Sequence, residues 1–85
     1  MRDVLPTQRY LAELAHLESE HGDLTAAVIA VEWALMNDAS IGTPTGQAGV
    51  FALATAEVTS SPMPLVFYYS FDEQRVYLET VIRTS

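Results

Sequence analysis

Up to Met36, apolar residues recur every three or four positions; from Val50 onward they fall into short β-rich runs separated by polar breaks. The first rhythm is that of amphipathic helices and the second that of strands. Leu5-Pro6-Thr7 reads as a helix start, with Thr7 as the N-cap whose hydroxyl accepts from a free first-turn N–H. Tyr10, Leu11, Leu14 and Leu17 then repeat at helical spacing until Gly22, which stands where a C-terminal glycine cap belongs. Asp23 is the N-cap candidate of a second helix, in which Leu24, Ala27, Val28, Val31, Ala34 and Leu35 trace one apolar face. Ile29, Trp33 and Met36 form another apolar strip beside it, leaving Thr25 and Glu32 as a narrow polar stripe. A helix this apolar all round is expected to be sandwiched, with a sheet on one side and the first helix or a partner on the other.

The last third of the chain reads as a β-hairpin, because two β-rich runs, Pro64 to Phe71 and Val76 to Arg83, flank a charged turn. A loop centred on Glu73-Gln74 pairs Phe71 with Val76, Tyr69 with Leu78, Phe67 with Thr80 and Leu65 with Ile82. Side chains alternate along a strand, so those eight residues should face the core. Val66, Tyr68, Ser70, Tyr77, Glu79, Val81 and Arg83 should then form a half-exposed outer face. Asn37 to Gly49, with Gly42, Pro44 and Gly46, is expected to be a loop. Val50 to Thr59, between that loop and the Ser60-Ser61-Pro62-Met63-Pro64 break, reads as a strand. Turning Glu57 to water in that strand puts Ala52, Ala54, Ala56 and Val58 inward, where small alanines would oppose bulky Phe67, Tyr69 and Phe71. The expected fold is α+β: two N-terminal helices on one face of a small antiparallel sheet. Its core is a three-strand C-terminal meander, with Arg2 to Leu5 as a candidate N-terminal edge strand.

At 85 residues the chain is expected to form one domain, residues 1–85, with a core only just large enough for stability. Its 49% apolar content is generous for that size and leaves surface for a partner or a second copy to cover. The absence of cysteine excludes disulfides, thiolate metal sites and thiol nucleophiles. The opening residues lack the apolar core of a signal peptide, and the run Ala26 to Met36 is too short to span a bilayer, so a cytoplasmic protein without a membrane segment is expected. Net charge is −7, with four arginines (Arg2, Arg9, Arg75, Arg83) and no lysine. Tight nucleic-acid binding needs several phosphates neutralised, which this inventory does not supply. An acidic surface favours basic partners instead.

No constellation of polar residues compels an assignment. His16 and His21 sit about 140° apart around a helix and do not converge on a metal. His16 with Glu20 is an i,i+4 pair of the kind common on solvated helices. Glu57 and Glu79 are candidates for a carboxylate pair across the sheet, set against the ordinary role of charges on a wet face. Thr43, Ser60 and Ser61 lack the strand–turn–helix setting of a nucleophile elbow, and Gly42-Thr43-Pro44-Thr45-Gly46 lacks the lysine and spacing of a phosphate loop. No cofactor is implied.

The chain resembles the RelE/ParE toxin superfamily, which includes the YafQ-like and HigB-like toxins. Leu5-Pro6-Thr7-Gln8-Arg9-Tyr10-Leu11-Ala12-Glu13-Leu14 is similar to the family's opening strand and helix. Leu35-Met36-Asn37-Asp38-Ala39 followed by Gly42-Thr43-Pro44 is similar to its second-helix exit. Leu65 to Phe71, Asp72-Glu73 and Val76 to Ile82 are similar to its closing hairpin. The likeness is one of element order and hydrophobicity, and it implies the toxin component of a type II toxin–antitoxin pair. Members that cleave ribosome-bound mRNA place several Lys and Arg residues, with a Tyr or His, on the exposed sheet face. The resemblance carries over two positions as catalytic candidates, Tyr68 and Arg83. Where further basic residues are expected, this chain has Pro64-Leu65-Val66 and, in the preceding strand, Thr55 and Glu57. Phosphodiester cleavage needs cationic stabilisation and a proton donor, so the resemblance argues for a ribonuclease and the charge inventory against one.

Two readings follow. In one, the chain is a RelE/ParE-like toxin with weakened or lost ribonuclease activity, held by a small antitoxin-like protein. In the other, it is a non-catalytic domain of the same fold that dimerises or captures a protein. Interface candidates are the Ile29, Trp33 and Met36 strip and the outer-face tyrosines Tyr68 and Tyr77, since tyrosine and contiguous apolar patches mark binding surfaces.

Overall fold

Thr7 and Gly22 delimit the first helix as their chemistry requires. The computed structural model describes residues 1–60 and 63–84. A short strand, β1 (Asp3–Pro6), runs into α1 (Gln8–His21). The Thr7 hydroxyl accepts from the Tyr10 N–H at 3.2 Å. At the other end Gly22 adopts φ 88°, which few other residues tolerate, and its N–H donates to the Glu18 carbonyl at 2.9 Å. Helix α2 (Thr25–Asn37) follows. Asp23 does supply a cap, but from one position further out than expected. Leu24 occupies the N-cap, while the Asp23 carboxylate accepts from the Thr25 N–H at 2.9 Å and the Glu18 carboxylate accepts from the Leu24 N–H at 3.2 Å.

Among the described residues, five strands form one mixed sheet, β1-β5-β4-β3-β2, comprising β2 (Thr43–Pro44), β3 (Phe51–Ala54), β4 (Leu65–Phe71) and β5 (Arg75–Arg83) besides β1. The fold is therefore α+β, as expected, with a sheet larger than a three-strand meander. Strand β1 is the anticipated edge strand, and it pairs in parallel with β5, Asp3 opposite Arg75 through Pro6 opposite Leu78. Strand β2 lies inside the segment expected to be only a loop, pairing Thr43 with Ala52 and Pro44 with Phe51. Two single turns of 3-10 helix, Ala39–Ile41 and Thr55–Glu57, complete the elements among the described residues. Ser61 and Pro62, in the break before β4, lie outside the described residues.

Two register expectations are corrected. In the hairpin, Phe71 pairs with Val76 and Tyr69 with Leu78, as alternation from the turn predicts. An extra residue in β5 then shifts the ladder, so that Tyr68 faces Thr80, Phe67 faces Val81, Val66 faces Ile82 and Leu65 faces Arg83. This β-bulge at Glu79 reverses the faces of everything beyond it. Val81 is buried, Ile82 is exposed and Thr80 leaves the core. In β3 the phase is the opposite of that expected. Leu53 opposes Phe67 and Phe51 opposes Tyr69, while Ala52 and Ala54 share the outer face with Tyr68 and Val66. The reason is that alternation does not extend to Glu57. The strand ends at Ala54, and the Glu57 carboxylate folds back to accept from the Ala54 N–H at 3.0 Å.

The core lies between the helices and the inner sheet face. It joins Tyr10, Leu17, Leu24, Val31 and Leu35 of the helical segments to Leu53, Leu65, Phe67, Tyr69, Val76, Leu78 and Val81. Tyr10 tilts against Phe67 with ring centroids 6.1 Å apart, and Phe51, Tyr69 and Phe71 form a contiguous aromatic group. The buried Tyr69 hydroxyl is satisfied at both ends: it donates to the Ala39 carbonyl at 2.6 Å and accepts from the Gly42 N–H at 2.9 Å. Gly42 is required there, because a Cβ would collide with the Tyr69 hydroxyl and lie 2.9 Å from the Ala52 carbonyl oxygen. Thr55, also buried, donates toward the Met63 carbonyl at 3.1 Å and accepts from the Leu65 N–H at 3.2 Å, tying the end of β3 to the start of β4. None of the described helices is long and apolar enough to cross a membrane.

Phe67 is wholly buried, so Phe67→Ala removes a ring and leaves a cavity; we expect a loss of about 3–5 kcal/mol in urea denaturation. A loss below about 1 kcal/mol would mean that this face is not the core. Glu32 supplies a second expectation. Burial raises the titration of its carboxyl above the ordinary range. The folded state therefore holds that proton more tightly than the unfolded chain, and this contribution to stability is lost as pH rises through the folded value. Glu32→Gln should thus be more stable than the parent at neutral pH. The difference should disappear below about pH 4, as read from urea midpoints at the two pH values.

Candidate functional site

The bulge that shifts the hairpin register also borders a polar depression on the outer sheet face. Because the extra residue is accommodated in β5, Glu79 and Thr80 both reach the outer sheet face beside Tyr68 of β4. The start of α1 contributes Thr7 and Arg9 on one side, and the β2–β3 connection contributes Gln47 and Val50 on the other. That connection is closed by Thr45 N–H donating to the Val50 carbonyl and Val50 N–H donating to the Gln47 carbonyl, both at 3.1 Å. Together they enclose an open depression of about 540 Å³.

Thr7 holds this corner together. Its N–H donates to the Leu78 carbonyl at 3.1 Å. Its hydroxyl donates to the same carbonyl at 2.8 Å, with the Glu79 carbonyl at a longer 3.3 Å, while accepting from Tyr10. The cap of α1 and the carbonyls at the bulge are therefore satisfied by one side chain.

The side chains around the depression are unequally committed. The Glu79 carboxylate accepts from the Ser70 hydroxyl at 2.7 Å through one oxygen. The Thr80 hydroxyl donates to the Glu13 carboxylate, whose other oxygen lies 3.7 Å from the Arg9 guanidinium. Among the described residues, the Tyr68 hydroxyl and the Gln47 amide have no hydrogen-bond partner. Further along the same face, Tyr77 is half-buried with its hydroxyl 3.4 Å from an Asp72 oxygen. Backbone N–H donation from Gln74 and Arg75 holds that Asp72 carboxyl below the usual range.

The two residues taken as catalytic candidates are not brought together. Tyr68 stands opposite Thr80 on the outer face, while Arg83 stands opposite Leu65, on the helix side of the sheet. There Arg83 borders a separate groove with Ala12, Glu13, His16 and Ile82. The expectation that Arg83 shares a face with Tyr68 is therefore corrected, and the cause is the bulge at Glu79. The remaining arginines are also placed elsewhere or opposed. Arg2 lies 5.2 Å over the Phe71 ring and donates to the Asp72 carbonyl at 2.6 Å, and Arg75 stands opposite Asp3 in the ladder.

Of the interface candidates, Ile29 and Trp33 are 49% and 57% exposed, so the outer strip of α2 is open to solvent. Met36 is half-buried beside β1, its carbonyl accepting from the Arg2 N–H at 3.2 Å. His16 and Glu20 do form their pair, at 2.9 Å, with both side chains exposed. Glu57 is engaged with the Ala54 backbone and Glu79 with Ser70, so the two carboxylates do not work as a pair. Thr7, Gln47 and Thr80 went unnoticed as site residues. Thr7 was legible as a cap, but nothing in the local pattern announces that its hydroxyl also reaches β5. Comparison with protein-family models and with curated proteins finds no match to this chain.

Removing the Thr7 hydroxyl should loosen both the helix start and the bulge. Thr7→Val is expected to cost about 1–2 kcal/mol, and Thr7→Ser to stay within about 0.5 kcal/mol of the parent. Hydrogen exchange at the Tyr10 amide should accelerate in Thr7→Val and stay slow in Thr7→Ser.

Proposed function

We propose that this chain is a RelE/ParE-like toxin component of a type II toxin–antitoxin pair, acting in the cytoplasm, in which ribonuclease chemistry has been lost and protein binding remains. The order of strand, helix, helix and closing β-hairpin is the one the resemblance implies. The observation that carries the loss of chemistry is the company Tyr68 keeps. A phenol poised to protonate a leaving oxygen needs cations nearby to stabilise the phosphorane. Tyr68 has the Glu79 carboxylate beside it, Arg83 stands on the other face, and Arg9, on the rim of the same depression, lies 3.7 Å from the Glu13 carboxylate. A carboxylate at that position repels phosphate instead of stabilising it.

The alternative, a non-catalytic dimerisation or binding domain of the same fold, is favoured by one specific observation: Ile29 and Trp33 leave large apolar area exposed on α2. A second copy or a small antitoxin-like protein covering that strip would bury it.

Induced expression in a bacterial host is expected to slow growth while transcripts stay intact, and purified protein should leave ribosome-bound mRNA uncut. Cleavage that disappears in both Tyr68→Phe and Arg83→Ala would overturn the loss of chemistry. Unimpaired growth, with a dimer by light scattering whose Trp33 fluorescence is shifted to the blue, would favour the alternative.

A further inference from the structure

The depression between Tyr68 and Glu79 is rich in hydrogen-bond acceptors and poor in available cations. One Glu79 oxygen is taken by Ser70, which leaves the other to receive a donor. The Thr80 hydroxyl spends its proton on Glu13 and keeps its lone pairs. The Gln47 amide and the Tyr68 hydroxyl add two further acceptors without internal partners among the described residues. Tyr68 is half-exposed, lines the depression and stacks on no other aromatic ring among the described residues. Arg9 borders the same space, with its guanidinium 3.7 Å from the Glu13 carboxylate and not paired with Glu79. Such a site is matched by a planar, donor-rich cation: a guanidinium carries five N–H donors, pairs with a carboxylate and stacks on a phenol.

From this geometry we infer that the depression receives the arginine side chain of an extended, basic segment of a partner protein. The inference rests on the reading that the chain works by capturing protein, and it names the chemistry of what is captured. The guanidinium stacks on Tyr68, donates to Glu79, and is steadied by Gln47 from the β2–β3 connection. The charge of the whole chain points the same way, since a net −7 draws a basic segment in and keeps nucleic acid away. Glu79 is the side chain on which recognition turns, and the bulge is what presents it.

The test titrates N-acetyl-arginine amide, and its uncharged citrulline counterpart, into the full chain, read residue by residue from amide chemical shifts. The expected result is shifts concentrated at Gln47, Tyr68, Glu79 and Thr80, with citrulline at least tenfold weaker. Glu79→Gln should weaken arginine binding at least fivefold and Tyr68→Leu at least threefold. Glu73→Gln, at the exposed hairpin tip, should leave it unchanged. Shifts spread evenly over the acidic surface, equal binding of citrulline, or an unaltered response in Glu79→Gln would each overturn the inference. A short RNA oligonucleotide shifting the same residues would overturn it together with the protein-capture reading. Growth inhibition without mRNA cleavage, but with no arginine response, would remove this inference alone.

Discussion

One hydroxyl, that of Thr7, ties the helical half of the molecule to the sheet. It accepts from the first turn of α1 and donates to the β5 backbone where that strand is bulged. A bulge left to itself would weaken the ladder at the point where β1 stops, since β1 accompanies β5 only as far as Leu78. Thr7 takes over from β1 there, so the strand's backbone passes from sheet pairing to side-chain pairing without a gap. The bulge presents Glu79 and Thr80 and buries Val81, and the Thr7 bonds fix the start of α1 against it.

The same corner explains what could and could not be foreseen. Thr7 and Gly22 were legible because capping is local chemistry, settled within four residues. The inner helix faces were legible because Leu24, Ala27, Val31 and Leu35 repeat at one period. The hairpin was legible near its turn, where Phe71–Val76 and Tyr69–Leu78 follow from counting outward. Counting fails at Glu79, because a bulge is one inserted residue, and Thr80-Val81-Ile82 suits either phase equally well. In β3 the alternation misleads for a related reason: Glu57 suggests a wet face, but the strand ends at Ala54. Once a two-residue alternation is anchored on the wrong residue, every position inverts.

The acidic residues divide by task. Asp23 and Asp38 accept from the hydroxyls of Thr25 and Ser40 and then from the same residues' backbone N–H groups. Asp72 accepts from the backbone N–H groups of Gln74 and Arg75, and these bonds hold all three carboxyls below the usual range. They serve the folding of corners. Glu32 does the reverse: half-buried on the second helix, it resists ionising and adds to the burial that already raises the Tyr10 phenol out of its ordinary range. The Tyr10 hydroxyl is buried with no hydrogen-bond partner among the described residues, whereas the buried Tyr69 and Thr55 hydroxyls are satisfied. Glu79 and its neighbours on the outer face combine negative charge with unspent acceptors and the Tyr68 ring.

The parallel pairing of β1 with β5 also sets a schedule for synthesis. Asp3 cannot acquire its ladder partner until Arg75 has emerged, and the Arg2 bond to Asp72 spans 70 positions. Helices can form as they leave the ribosome, because their contacts are near in sequence, but β1 has no strand to pair with until β5 arrives. During that interval the core lacks Val76, Leu78 and Val81, a window in which aggregation competes with completion. The cap and turn residues that stabilise each segment alone then act as holding devices, keeping the early part of the chain near its final shape while it waits for its last strand.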